Sequence, residues 1–82
     1  MRGIMSDAPL SLTHVFHRAE RLFGAKQIVT ATAGGRERTT YADWAARTRL
    51  LGGAFETLGL SADARVGTFA WNTARHLELY YA

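Results

Sequence analysis

The sequence predicts an α/β fold, in the order helix, β-hairpin, helix, strand, helix. Three observations predict it. Apolar residues recur at helical spacing in three separate stretches. A run rich in β-branched residues, Gln27 to Thr32, precedes a Gly34-Gly35 pair and a short polar return. The 82 residues are 48% hydrophobic and 21% charged, which suits one small globular unit and excludes a disordered tail. Residues 1–10 read as an amino-terminal arm and residues 11–82 as the folded part.

The first helix is predicted from Leu12 to Phe23. Leu12, Val15, Phe16, Ala19, Leu22 and Phe23 fall on one stripe at 3.6 residues per turn. Ser11 is the expected N-cap, and Gly24 the expected left-handed residue that ends the helix. Gln27 to Thr32 is the first strand, Gly34-Gly35 the turn, and Arg36 to Thr39 the return. Arg36, Glu37 and Arg38 suit an exposed sheet edge.

The second helix starts at a capping-box-like pair, Thr40 and Asp43. Trp44, Thr48, Leu51, Phe55 and Leu58 form its expected buried stripe, extended by Ala45 and Ala54. Gly52-Gly53 costs about 1 kcal/mol per glycine against alanine, and a close approach by another element would explain the pair. Gly59 is expected to end the helix, with Leu60 folding back. After a turn at Ser61–Ala64, Arg65 to Ala70 reads as a short buried strand. Asn72 is the expected cap of a third helix carrying Ala74, Leu77, Tyr80 and Tyr81. The sequence stops about ten residues into that pattern, so it reads as an α/β unit missing its remainder.

Several function classes are excluded or disfavoured. There is no cysteine, so there is no disulfide framework, Cys nucleophile or thiol switch. The longest stretch without Asp, Glu, Lys or Arg runs from Ala8 to His17, far short of the roughly 20 residues a membrane-spanning helix needs. Asp7 and Pro9 interrupt any signal-peptide core, and the expected location is cytoplasmic. The net charge is +3, from ten basic residues against seven acidic. Acidic residues lie among the scattered arginines, which disfavours a nucleic-acid stripe. A small stand-alone module binding nucleic acid or protein, through the arginines and Trp71, Tyr80 and Tyr81, is the alternative reading.

No residue is assigned to catalysis, cofactor binding or a metal. His14 and His17 lie at i, i+3 with Glu20 beyond them, but a zinc site needs further ligands, and solvent-exposed histidines are the simpler reading. His76 is expected to be partly exposed. Ser6, Ser11 and Ser61 sit in arm, cap and turn positions, none of them a nucleophile elbow. Asp43, Glu56, Asp63 and Glu78 each have an ordinary surface or capping role. Gly34-Gly35 precedes a strand, whereas a phosphate loop runs from a strand into a helix.

Five stretches carry a resemblance: Met5 to Phe23, Lys26 to Val29, Thr39 to Trp44, Leu58 to Val66 and Trp71 to Ala82. On them the whole chain resembles the amino-terminal part of acyl-CoA synthetases of the adenylate-forming (AMP-binding) superfamily, most closely bacterial medium- and long-chain fatty-acid–CoA ligases. Ser61-Ala62-Asp63 departs from the Pro-Gly-Asp turn common in the family, and Gly67 weakens the following strand. The resemblance implies the truncated amino-terminal part of the large AMP-binding domain, with the rest of that domain as its partner. Full-length relatives activate a fatty acid with ATP and Mg to an acyl-adenylate and pass the acyl group to coenzyme A. The phosphate loop, the adenine and ribose contacts, the hinge and the carboxy-terminal lysine have no counterpart here. The resemblance therefore implies a structural segment that is inactive alone and binds none of those cofactors itself. It also implies a homodimer as an option, since some relatives pair through their amino-terminal segments.

Overall fold

The computed structural model describes residues 9–82, so residues 1–8, most of the expected arm, lie outside the description. Five elements follow in order: α1 (Leu12–Phe23), β1 (Gln27–Thr32), β2 (Gly35–Thr40), α2 (Tyr41–Thr57) and α3 (Ala74–Tyr81). The α/β class and the helix–hairpin–helix order match the sequence reading. The expected strand at Arg65–Ala70 is not formed: these residues are irregular, without a ladder partner, and exposed. A strand needs a neighbour for its backbone N–H and C=O groups, and the two-stranded β1–β2 sheet offers none there.

β1 and β2 pair antiparallel, from Gln27 opposite Thr40 to Thr32 opposite Gly35. Ala33 and Gly34 make the connection, and Gly35 takes a positive φ of 142°. The charged positions Arg36, Glu37 and Arg38 are exposed, as the edge reading expects. Ile28 and Thr30 share a face with Thr39 and Glu37, which stand opposite them, and Thr30 is buried there.

The caps explain the helix limits, with two corrections. Thr40 caps α2, its hydroxyl accepting from the Asp43 amide at 3.1 Å. The cap of α3 is Thr73 rather than Asn72, accepting from the His76 amide at 3.2 Å. Ser11 holds the N-cap position of α1 without a side-chain bond. Gly24 is right-handed (φ −54°), contrary to expectation. Its side-chain position is crowded instead: a Cβ would lie 3.0 Å from the Glu20 carbonyl oxygen and 3.5 Å from Ala42 Cβ. The start of α2 is fastened there, with the Ala42 amide donating to the Gly24 carbonyl and the Tyr41 amide to the Lys26 carbonyl. Gly59 ends α2 at φ 84°. The Leu60 amide donates to Phe55 and the Gly59 amide to Glu56, the paired bonds of a Schellman end.

The core is small. Phe16, Trp44 and Ala45 are its buried apolar residues, with Ile28, Leu77 and Tyr81 packed around them. The α2 stripe is shorter than its spacing predicts: burial covers Trp44, Ala45 and Thr48, while Leu58 is exposed. α3 meets α2 at Trp44, Arg47 and Gly52, and Leu51 and Phe55 are only half-buried. Gly52 permits that approach, since a Cβ on it would lie 3.3 Å from the Ala82 carbonyl oxygen. Tyr81 stacks edge-on against Trp44 at 5.2 Å, whereas Tyr80 and Trp71 are exposed.

Candidate functional site

A polar recess of about 350 Å³ lies between the hairpin and the start of α3. Thr30, Thr32 and Thr39 form its sheet side, and Arg47, Thr73 and Glu78 its helix side. Period-two alternation brings the three threonines to one face of the hairpin. Glu78 is buried, contrary to the surface role its sequence position suggests. It is held by Arg47, whose Nε donates to Oε1 at 2.6 Å and whose Nη2 donates to Oε2 at 3.5 Å. The bond to Glu78 raises the Arg47 guanidinium further above its already high ordinary value. Thr30 Oγ1 accepts from the Ala74 amide at 3.1 Å, so β1 satisfies one free amide of α3.

His76 is also buried rather than partly exposed. One ring nitrogen, Nε2, lies 2.8 Å from Thr68 Oγ1. The other, Nδ1, is buried without a partner. The ring packs on Tyr80 at 4.7 Å. His76 therefore ties the 65–70 segment to α3. Sequence reasoning missed His76 and Glu78. Their signal was placement: two polar residues flanking Leu77 on a helix whose Leu77 and Tyr81 face the core.

The other candidates do not assemble. The Glu20 carboxylate is taken by Arg49, with one oxygen 2.6 Å from Nη2 and the other bonded to Nη1. That bond holds Glu20 below the ordinary carboxylate value, helped by the charges of Arg49, His17 and Arg21 and opposed by desolvation. Glu20 is thus withdrawn from His14 and His17, and no group of three metal-ligating side chains forms among the described residues. The Ser61 carbonyl accepts from the Ala64 amide within its turn, and Ser6 lies outside the described residues.

A depressed carboxylate pKa gives stability that is present above the unfolded value and lost as pH falls through the folded one. Acidification from about pH 5 to about pH 3 is therefore expected to lower the unfolding midpoint. Arg49→Gln should flatten that dependence. Chemical denaturation followed by circular dichroism at each pH checks it, and an unchanged slope in the variant would remove Glu20–Arg49 as the cause.

No family model and no solved structure matches the chain. Known proteins do match it. The 3-methylmercaptopropionyl-CoA ligase of Ruegeria lacuscaerulensis is 42% identical over 83 residues, covering 100% of this chain and 15% of that protein. The long-chain-fatty-acid–CoA ligase of Thermus thermophilus is 42% identical over 79 residues, covering 95% and 15%. The medium-chain-fatty-acid–CoA ligase of Ectopseudomonas oleovorans is 36% identical over 83 residues, covering 100% and 15%. The chain is homologous to a segment of the acyl-CoA ligases. It spans about 15% of the length of the relatives it matches.

Glu20 and Glu78 are each engaged by an arginine, which leaves neither free for Mg. The Ala33-Gly34 turn joins two strands, and the Ala74 and His76 amides at the start of α3 are taken by Thr30 and Thr73. In the recess Thr30 fastens β1 to α3 and the Arg47–Glu78 pair fastens α2 to α3, while outside it His76 bonds Thr68.

Proposed function

We propose that this chain is the structural, leading segment of an acyl-CoA ligase. The whole enzyme would activate a fatty-acid-type carboxylic acid with ATP as an acyl-adenylate and transfer the acyl group to coenzyme A. The observation that carries this reading is the 36–42% identity running through all or nearly all of the chain to ligases about seven times its length. Two features of the molecule support the structural role. Its polar side chains are spent on holding its own elements together, as the Arg47–Glu78 and Thr68–His76 pairs illustrate. Its apolar surface is larger than its own elements cover: Phe69 is fully exposed, Trp71 is 89% exposed, and Val66 and Leu58 lie open beside them in sequence. In the proposed enzyme the rest of the large domain covers this surface, and the 65–70 segment pairs there as a strand. Such cover would satisfy the backbone groups that stand open in the segment alone.

The test is thioester synthesis. The purified 82-residue chain, given ATP, Mg, coenzyme A and a fatty acid, is expected to form no acyl-CoA above the enzyme-free rate. ATP-dependent acyl-CoA formation by the chain alone would overturn the structural reading.

A further inference from the structure

Arg65 to Ala70 lies over the molecule as a strap held by one side-chain bond. Every residue of it is exposed, and Phe69 buries none of its ring against the chain. Among the described residues, Arg65 to Ala70 make no main-chain hydrogen bond. The main chain is closed before them at the Ser61–Ala64 turn and after them where the Leu77 amide donates to the Thr73 carbonyl. None of them belongs to the core of Phe16, Trp44 and Ala45 or to the residues packed around it. The one hydrogen bond of the strap among the described residues joins Thr68 Oγ1 to His76 Nε2 at 2.8 Å. The anchor is held far more firmly than the strap. His76 is buried, its amide donates to Thr73 Oγ1 at 3.2 Å, and its ring lies against Tyr80 at 4.7 Å.

We propose that the 65–70 segment is a strap that opens as a unit on a single latch, the Thr68–His76 bond, while α1, the hairpin, α2 and α3 stay folded. Opening breaks that bond and takes no apolar side chain out of the core. One neutral hydrogen bond shifts such an equilibrium by only about 2- to 13-fold. Local opening of this kind lies far below global unfolding, which must dismantle the helices and the ladder. Once open, the strap offers its unbonded backbone N–H and C=O groups to a neighbouring strand. That pairing is the one the ligase reading gives it, whereas the opening rests on this chain's own bonds.

Brief trypsin digestion of the 82-residue chain, read by mass spectrometry, tests the latch. Within residues 9–82 the first cut is expected after Arg65, ahead of the arginines of α1, α2, α3 and the β1–β2 ladder. Thr68→Val removes the hydroxyl at an exposed position and should raise the rate of that cut about 2- to 13-fold, with the circular dichroism spectrum unchanged. Thr68→Ser keeps the hydroxyl and should be cut at the parent rate. A Thr68→Val chain cut after Arg65 no faster than the parent overturns the latch. Digestion that starts at the helical or ladder arginines, or falls evenly on all of them, overturns the strap. Loss of helical signal in Thr68→Val also overturns the proposal, because the bond would then support the whole fold. None of these outcomes bears on thioester synthesis, so the ligase reading stands or falls separately.

Discussion

Trp44→Ala is expected to leave most of the chain unfolded at room temperature. Trp44 is 4% exposed and is the hub of the aromatic core, 5.2 Å from Phe16, 5.2 Å from Tyr81 and 6.5 Å from Tyr41. Truncating a buried tryptophan costs about 3–5 kcal/mol. A chain of this size has about 4–12 kcal/mol in total. The lower end of that range applies, because Phe16 and Ala45 are the only other buried apolar residues described. Trp44→Phe provides the contrast. It keeps most of the ring contacts and removes the indole N–H, which is buried without an acceptor. Removing an orphaned donor recovers part of the cost of the smaller ring. Urea denaturation followed by circular dichroism should therefore rank the parent above Trp44→Phe and place Trp44→Ala far below both. Equal midpoints for Trp44→Ala and the parent would mean that the core lies elsewhere.

The second large effect concerns Arg47 and Glu78. Glu78 is 6% exposed, and Arg47 is the partner that neutralises it. Arg47→Met leaves the buried Glu78 carboxylate without its partner, while Glu78→Leu with Arg47→Met removes the charge altogether. Breaking one side of a buried pair costs more than replacing both sides by apolar residues of similar size. The single variant Arg47→Met is thus expected to melt below the double variant, although it changes fewer residues. Thermal melts of the two proteins decide it. A double variant no more stable than the single one would show that Glu78 is not burdened by its burial.

The contrast between these two residues shows what the sequence made legible. Trp44 stood at the head of a stripe with clean helical spacing, after a recognisable Thr40 cap, and the structure places it in the core. The hairpin and the Gly59 end were equally readable, because turn and cap chemistry is local. Tertiary partners were not. Arg65–Ala70 has strand composition, yet no strand of this chain lies beside it, so it stays unpaired. Glu78 and His76 looked like surface residues because burial of a polar side chain depends on a partner distant in sequence, Arg47 for the first and Thr68 for the second. Gly24 was expected to supply a left-handed turn, and its actual use is the close approach of α2. The family was legible through short matched stretches, whose lesson is scaffold rather than chemistry. Of their polar residues, Thr40 and Thr73 cap helices, and Glu20, His76 and Glu78 bond Arg49, Thr68 and Arg47.

The central claim is that these residues build part of a ligase without performing its chemistry. A chimaera tests it most directly, in which residues 1–82 replace the matching segment of the Thermus thermophilus long-chain-fatty-acid–CoA ligase, 42% identical to this chain over 79 residues. The account predicts a folded protein that forms acyl-CoA from ATP, fatty acid and coenzyme A with kcat within about tenfold of the parent ligase, equivalent to about 1.4 kcal/mol in the barrier. A chimaera that folds as the parent does but forms no acyl-CoA would contradict it.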